Sequence, residues 1–199
     1  MCIRDSNYKY EKIELDILGL DTHCDVFLND SLIYESSNMF IGKNIPIKYL
    51  VKIGDNKLEI KFKSPINVGI EKFDKLDYQF PENANDLSEI GKVPGNKKVG
   101  IFTRKAPYSF GWDWGPRLVT SGVWRPINLN LWSYYQIEDL HFTQIIKNKD
   151  ALINAEIEIN STLARSDVKL EIEVDEEKIL ANLIPVSYTH LTLPTRLSV

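Results

Sequence analysis

Residues 110–116 of this chain read Phe110-Gly111-Trp112-Asp113-Trp114-Gly115-Pro116, a carboxylate between two indoles with a glycine on either side. They lie within the stretch from Arg104 to Trp132, which contains all four tryptophans of the 199 residues. In an extended backbone the three aromatic residues would share one face, opposite Asp113. Glycine and proline are unfavourable in a regular strand. We therefore expect a kinked or bulged strand end that aims Asp113 and one indole into a cleft.

An aromatic ring beside a carboxylate suits a sugar. The ring packs on the apolar face of a pyranose, and the carboxylate accepts hydrogen bonds from its hydroxyls, each contributing roughly 1.5–3 kcal/mol. The residues alone leave another interpretation open, in which the tryptophans fill the core of a β-sandwich and Asp113 caps a turn. Basic residues near the motif fit a solvated face, although Arg104 or Arg117 could instead pair with Asp113. The basic residues concerned are Lys97, Lys98, Arg104, Lys105, Arg117 and Arg125.

Short strands are predicted on both sides of this stretch. Apolar and polar residues alternate through 12–18 and 57–63, and 26–34 reads as a hairpin around Asn29-Asp30. Residues 66–80 carry apolar side chains at helical spacing, which predicts a short helix, and 81–99 is predicted to be a long loop bordering the cleft, or an insertion without a role. Ile127 to Leu131 alternates again, as a closing strand would. The pattern predicts an all-β sandwich or barrel.

A second all-β domain is predicted to begin near residues 133–136, because alternation resumes in 151–160 and 168–174. About half of a complete immunoglobulin-like domain is present, so this sheet is expected to have an unpaired edge. Both ends of the chain resemble sequencing-adapter artefacts. The expected organisation is a non-native start at 1–6, a first domain at 7–134, a partial second domain at 135–185 and a non-native tail at 186–199.

Composition excludes several functions. The net charge of −4 gives no support for binding to nucleic acid or to an anionic membrane surface. The sequence has no run of about 18 apolar residues, so no transmembrane helix is predicted. No compartment is indicated. Histidines and cysteines lack zinc spacing and no phosphate-binding glycine motif occurs, so neither a metal nor a cofactor is expected. Cys24 is expected to be a small buried hydrophobe.

The stretch Arg104-Lys105-Ala106, with Phe110 to Arg117 and Gly122-Val123-Trp124-Arg125-Pro126, closely resembles β-mannosidases of glycoside hydrolase family 2. The resemblance covers residues 8 to about 180. It also includes Gly19-Leu20-Asp21-Thr22, Val26-Phe27-Leu28-Asn29, Ser37-Asn38-Met39-Phe40 and Ser64-Pro65.

This resemblance implies a jelly-roll, galactose-binding-like β-sandwich followed by a truncated immunoglobulin-like β-sandwich, with a catalytic (β/α)8 barrel next in such enzymes. It implies that Trp112 and Asp113 bind the terminal β-mannose, and Trp114, Arg104 and Arg117 are candidate supporting residues. Asp21 and Asn38 match family positions and are interpreted as turn and structural residues.

Catalysis is not expected from this chain alone. Retaining hydrolysis needs two carboxyl groups about 5–5.5 Å apart; in this family they are glutamates on a barrel, which needs about 250 residues. The expected function is therefore the non-catalytic front part of a β-mannosidase. Two alternatives stay open: a free-standing carbohydrate-binding module, and another exo-acting member of the family, such as a β-glucosaminidase or β-galactosidase.

Overall fold

The structure, a computed structural model, describes residues 2–3, 9–78, 80–81, 98–112, 114–147, 150–162, 169–174, 177–182 and 189–198. The chain forms two compact units, residues 1–131 and 132–199, which are taken in turn. The described residues are mostly strand with one α-helix, and the sheets contain antiparallel strand pairs. The predicted all-β class is confirmed.

The first unit contains nine described strands in three sheets. The sheets have the strand orders β1-β7-β4-β5, β6-β2-β9 and β3-β8. The strands are β1 (Cys2–Ile3), β2 (Lys12–Ile17), β3 (Leu20–Asp21), β4 (Cys24–Leu28), β5 (Ser31–Ser36), β6 (Lys43–Pro46), β7 (Asn56–Phe62), β8 (Gly122–Val123) and β9 (Ile127–Trp132).

The core of this unit lies where the two larger sheets meet. Strand β2 buries every second residue, and strand β4 does the same from the other sheet. Because side chains of a strand alternate between its faces, each sheet presents one apolar face to the other, as in a β-sandwich. The buried cluster consists of Ile13, Leu15, Ile17, Leu20, Cys24, Val26, Leu28, Ile45, Ile47, Val51 and Leu58.

The predicted hairpin is confirmed as β4 and β5, joined by Asn29 and Asp30. Both joining residues have positive φ angles, 49° and 67°, which is the backbone of a type I′ turn. Asn29 is held there by its side chain, which donates to Leu50 O and Asn56 Oδ1 and accepts from Lys57 N. Asparagine therefore takes the place that glycine often has, because these contacts stabilise its left-handed backbone.

The helix predicted within 66–80 is present as α1 (Pro65–Phe73), but it is shorter than the pattern indicated. Ser64 caps its first turn by accepting from Asn67 N, and Pro65 occupies the first position, where it loses no helical hydrogen bond. Phe80 fits the helical spacing for another reason: its ring packs edge-on against Phe102, with the centroids 6.0 Å apart. The predicted loop at 81–99 lies largely outside the described residues.

The second unit holds a three-stranded sheet of order β10-β11-β14 and a two-stranded sheet, β12-β13. Its described strands are β10 (Tyr135–Lys147), β11 (Asp150–Ser161), β12 (Lys169–Val174), β13 (Glu177–Asn182) and β14 (Thr189–Ser198). The assignment of both chain ends as non-native, and of the units as jelly-roll and immunoglobulin-like domains with the stated boundaries, stays a prediction.

Candidate functional site

The segment around the tryptophan motif is built on a buried phenylalanine. A 3-10 helix, Pro107–Phe110, ends with Phe110 fully buried, and Gly111 follows with φ 115°, a backbone that favours glycine. No strand is present in the described part of 110–116, so the prediction of a kinked strand end is wrong. Alternation of side chains requires an extended backbone, and Pro116 and Gly111, whose φ is positive, break that backbone.

The indoles of Trp112 and Trp114 lie outside the core. The backbones of Trp112 and Gly115 exchange two hydrogen bonds of 3.3 Å, which close a tight turn. Trp112 is 49% exposed and Trp114 is 80% exposed. The interpretation of these two tryptophans as core-filling residues is therefore wrong, and Phe110 alone of the three aromatic residues is in the core.

The candidate supporting arginines have defined contacts in this segment. Arg117 Nη1 donates to Phe110 O at 2.8 Å, and its guanidinium lies 5.4 Å from the centre of the Phe110 ring. Arg104 forms an isolated parallel bridge with Asn38, while its own side chain is exposed. Asp113 lies outside the described residues, so its pairing with either arginine stays a prediction. Arg117 instead has a visible role in fastening the end of the 3-10 helix.

A third tryptophan is fixed close to the same segment through Met39. Trp124 Nε1 donates to Met39 O at 2.7 Å, and the Arg125 guanidinium lies 4.2 Å from the Trp124 ring centre. Gly19 makes room for this indole, because a Cβ there would lie 2.6 Å from Trp124 Nε1. Trp124 is 41% exposed, so part of its ring also faces outward.

Lys105 is buried in an ion pair with Asp21, contrary to the predicted solvated face. Lys105 is 4% exposed and its Nζ contacts Asp21 Oδ2, while the Thr22 hydroxyl donates to Asp21 Oδ1. The structural interpretation of Asp21 fits this contact. Asn38 also acts as a turn residue, because its Oδ1 accepts from Phe40 N at 3.0 Å.

Two titratable groups follow Asp21 in the sequence, and burial shifts both. His23 has a lowered pKa, first because burial disfavours its charged form and then because Lys72 and Lys63 are positive. Burial, reinforced by Asp25, raises the pKa of Cys24 to about 11. The Cys24 thiol is free and 1% exposed, and its raised pKa favours the protonated form near neutral pH, which is unfavourable for a nucleophile. Its predicted packing role is confirmed.

The chemistry available in the described segment is that of recognition. Exposed indoles provide flat apolar surfaces, and a backbone fastened at Phe110 and Lys105 keeps them in place. Within the described ranges, no group of three or more His, Cys, Asp or Glu side chains is placed to hold a metal ion. The same ranges contain no helix with the length and apolar character needed to cross a bilayer.

Sequence reasoning missed two residues that organise this segment, Lys105 and Met39. Lys105 is one of several basic residues in its neighbourhood, and its partner Asp21 is 84 residues away. No local pattern signals a contact over that separation. Met39 contacts the segment through its own N–H and its sulfur. The presence of a methionine in the sequence does not predict either contact.

Comparison with known proteins identifies relatives over most of the chain. A family model described as glycosyl hydrolase 2 galactose-binding domain-like matches residues 3–125. Beta-mannosidase B of Thermothelomyces thermophilus is 30% identical over 168 residues, 81% of this chain. Beta-mannosidase B of Aspergillus niger is 37% identical over 144 residues, 68% of this chain. The chain spans only 18% and 16% of the lengths of these two proteins.

Solved structures give the same result. The beta-D-mannosidase of Dictyoglomus thermophilum matches the whole chain with a TM-score of 0.79 and 30% identity, and the match covers 24% of that protein. The exo-chitosanase of Amycolatopsis orientalis matches the whole chain with a TM-score of 0.62 over 20% of its length, but at 12% identity it shows the fold alone. This chain belongs to the glycosyl hydrolase 2 galactose-binding domain-like family.

Proposed function

We propose that this chain is the sugar-binding front part of a retaining β-mannosidase, which removes terminal non-reducing β-D-mannose. Trp112 and Asp113 form part of the mannose pocket, and the two catalytic glutamates lie on a barrel outside this chain. The alternative of a free-standing carbohydrate-binding module is less well supported, because the relatives named above are long hydrolases of which this chain matches a small part.

One observation carries the proposal: two indoles are held outside the core on a firmly fastened backbone. Exposing Trp112 and Trp114 forgoes the hydrophobic free energy of burying two of the largest side chains, which a purely structural segment would gain. Because this backbone is already ordered, it loses little conformational entropy when a sugar face packs against an indole that it carries. The position next to Asp113 in the sequence adds a carboxylate that can accept from sugar hydroxyls.

The test uses the longer protein encoded by the parent gene. Asp113→Ala is expected to lower kcat/KM on an aryl β-mannoside by at least about tenfold, roughly 1.4 kcal/mol of transition-state stabilisation. Glu71→Ala removes an exposed carboxylate from α1 and serves as the matched control, with unchanged kinetics expected. Wild-type kinetics in the Asp113 variant, with the fold intact, would remove this domain from the substrate pocket.

The substrate class is tested by comparing aryl β-mannoside, β-glucosaminide and β-galactoside on the same longer protein. Preference for the mannoside is expected. Preference for either other sugar would replace the mannose assignment while keeping the chain within a glycosidase. The anomer released first, followed by proton NMR, tests retention: a retaining enzyme releases β-mannose before mutarotation.

The 199-residue chain by itself is expected to hydrolyse none of these glycosides. One carboxylate cannot act as nucleophile and as acid at the same time, and the proposal places both catalytic groups elsewhere. Purified chain incubated with an aryl β-mannoside checks this. Turnover that follows the chain through purification and disappears in Asp113→Ala would place the chemistry in this domain instead.

A further inference from the structure

The ion pair of Lys105 and Asp21 joins two segments that are 84 residues apart in the sequence. Lys105 is 4% exposed and Asp21 is 7% exposed, and the Thr22 hydroxyl provides a further hydrogen bond to the carboxylate. Burying two charges is costly, and a well-packed apolar pair of similar volume is often at least as stable. A buried ion pair is therefore weak evidence for a role in stability alone, and its geometry points to another role.

The pair connects the start of the tryptophan segment to a short β-ladder. Asp21 ends β3, which pairs with β8 through Leu20–Val123 and Asp21–Gly122. On the other side, Lys105 directly precedes Ala106 and the 3-10 helix that leads to Phe110 and Trp112. A shift of Lys105 would move the helix and, beyond it, the turn that holds Trp112.

Met39 contacts the residues on either side of Lys105. Its N–H donates to Arg104 O at 3.0 Å, and its sulfur accepts from Ala106 N at 3.0 Å. Met39 O in turn accepts from Trp124 Nε1. Met39 thus holds the backbone of residues 104–106 through hydrogen bonds to main-chain atoms. The ion pair instead depends on the side chain of Lys105, whose Nζ contacts one carboxylate oxygen of Asp21. Among the contacts described above, the ion pair is the one that joins Lys105 to the β-ladder.

We infer that Asp21 and Lys105 are positioning residues for sugar recognition: their ion pair sets the place of residues 105–112, and hence of the Trp112 indole, without touching the sugar. The inference rests on the proposed function for its consequence in catalysis, but the placement of Trp112 can be measured without it. The Lys105 side chain is fully buried, so it has no direct contact with a sugar in this fold.

The first experiment uses the 199-residue chain labelled with 5-fluorotryptophan, whose four tryptophans are expected to give separate fluorine NMR resonances. Trp112→Phe assigns the Trp112 resonance. The double variant Asp21→Leu/Lys105→Met replaces the charges by apolar groups and is expected to fold with a urea midpoint near that of the wild type. Its Trp112 resonance is expected to shift or broaden, while Trp132, the last residue of β9, is expected to keep its resonance and serves as the internal reference.

A matched control comes from an ion pair elsewhere in the same unit. Lys63 follows the last residue of β7, and its Nζ lies 2.7 Å from Oδ1 of Asp25 in β4, with the lysine half exposed. Asp25→Leu/Lys63→Met makes the same chemical change and is expected to leave the Trp112 resonance unchanged. If the Asp21/Lys105 double variant does not fold, Lys105→Arg keeps the charge, alters the geometry of the contact and is expected to shift the same resonance.

The second experiment measures kinetics in the longer protein. The Asp21→Leu/Lys105→Met variant is expected to lose at least about tenfold in kcat/KM on an aryl β-mannoside, with unfolding unchanged, because a displaced indole binds the sugar poorly. A Trp112 resonance and kinetics identical to the wild type would overturn the inference. If the wild-type longer protein shows no mannosidase activity, the proposed function fails, and the fluorine result alone decides whether the pair places Trp112.

Discussion

Gly69 lies on the face of α1 that packs against Val99, and the space there is too small for a methyl group. A Cβ at position 69 would lie 2.6 Å from Val99 Cβ and 2.9 Å from Val99 Cγ2. Alanine is the better helix former by about 0.8–1 kcal/mol, but overpacking costs about 1–3 kcal/mol. Gly69→Ala is therefore expected to lower the free energy of unfolding in urea. Asn67→Ala, at an exposed position of the same helix, is the control and is expected to leave it unchanged or raise it slightly.

His23 is expected to make the first unit sensitive to mild acid. Its pKa is lowered in the folded chain, mainly by burial, so below the ordinary value of about 6.5 the unfolded chain binds a proton that the folded chain does not. The free energy of unfolding is therefore expected to fall as pH drops from 7.5 to 5.5, by at most about 1.4 kcal/mol per pH unit. Urea titrations at the two pH values measure this fall.

Variants separate His23 from the other titrating groups. His23→Gln is expected to reduce the loss of stability between pH 7.5 and 5.5, because the glutamine side chain takes up no proton. His141, exposed on β10, provides the matched substitution His141→Gln, which is expected to keep the wild-type pH dependence. An equal loss in wild type and His23→Gln would assign the acid sensitivity to other residues.

At the scale of an element, the β4–β5 turn has one residue that is required and one that is strained. Asp30 has φ 67° and an exposed side chain whose ion pair with Lys57 is 3.8 Å long. Such a pair contributes little, whereas glycine avoids a left-handed strain of about 1–2 kcal/mol. Asp30→Gly is therefore expected to raise the free energy of unfolding by up to about 1 kcal/mol.

The neighbouring position is expected to respond in the opposite direction. Asn29→Gly also relieves the backbone, but it removes the hydrogen bonds to Leu50, Asn56 and Lys57 and leaves buried polar groups without that partner. A loss of about 1–3 kcal/mol is expected from urea unfolding. Stability equal to that of the wild type would mean that backbone strain, not the side-chain network, dominates this turn.

At the scale of the whole molecule, one face of the second unit carries apolar side chains, two of which are exposed. Leu140 lies opposite Ile157 and Phe142 lies opposite Ala155, so all four share a face of the β10–β11 ladder. Ile157 and Ala155 are buried, whereas Leu140 is 46% exposed and Phe142 is 53% exposed. In the described residues β10 pairs with β11 on one side only. Such a surface promotes association.

The 199-residue chain is accordingly expected to self-associate through this face. Sedimentation velocity over a range of concentrations is expected to show a mass that rises with concentration. The double variant Leu140→Thr/Phe142→Thr is expected to shift the chain toward monomer, and His141→Thr, on the opposite face of β10, is the control. A monomer at every concentration, or equal association in the variant, contradicts this expectation.

Several strands and the β4–β5 hairpin were predictable because their signals are local. Alternation of apolar and polar residues identified β2, β7 and β9, and two residues of high turn propensity identified the β4–β5 hairpin. These patterns arise from side-chain directions within a few residues of one another. Residue type also predicted the burial of Cys24 and the turn at Asn38.

The sequence by itself determined the all-β class, several of the strands, the helix α1 and the stretch in which to look for a site. Only the tertiary structure decided which aromatic residue of that stretch is buried and which are exposed, and that Lys105 is paired with Asp21 rather than solvated. The physical reason is distance along the chain. Periodicity reports on neighbours in sequence, whereas the burial of Phe110 and the Asp21–Lys105 pair depend on contacts between segments that meet only after the sheets have packed.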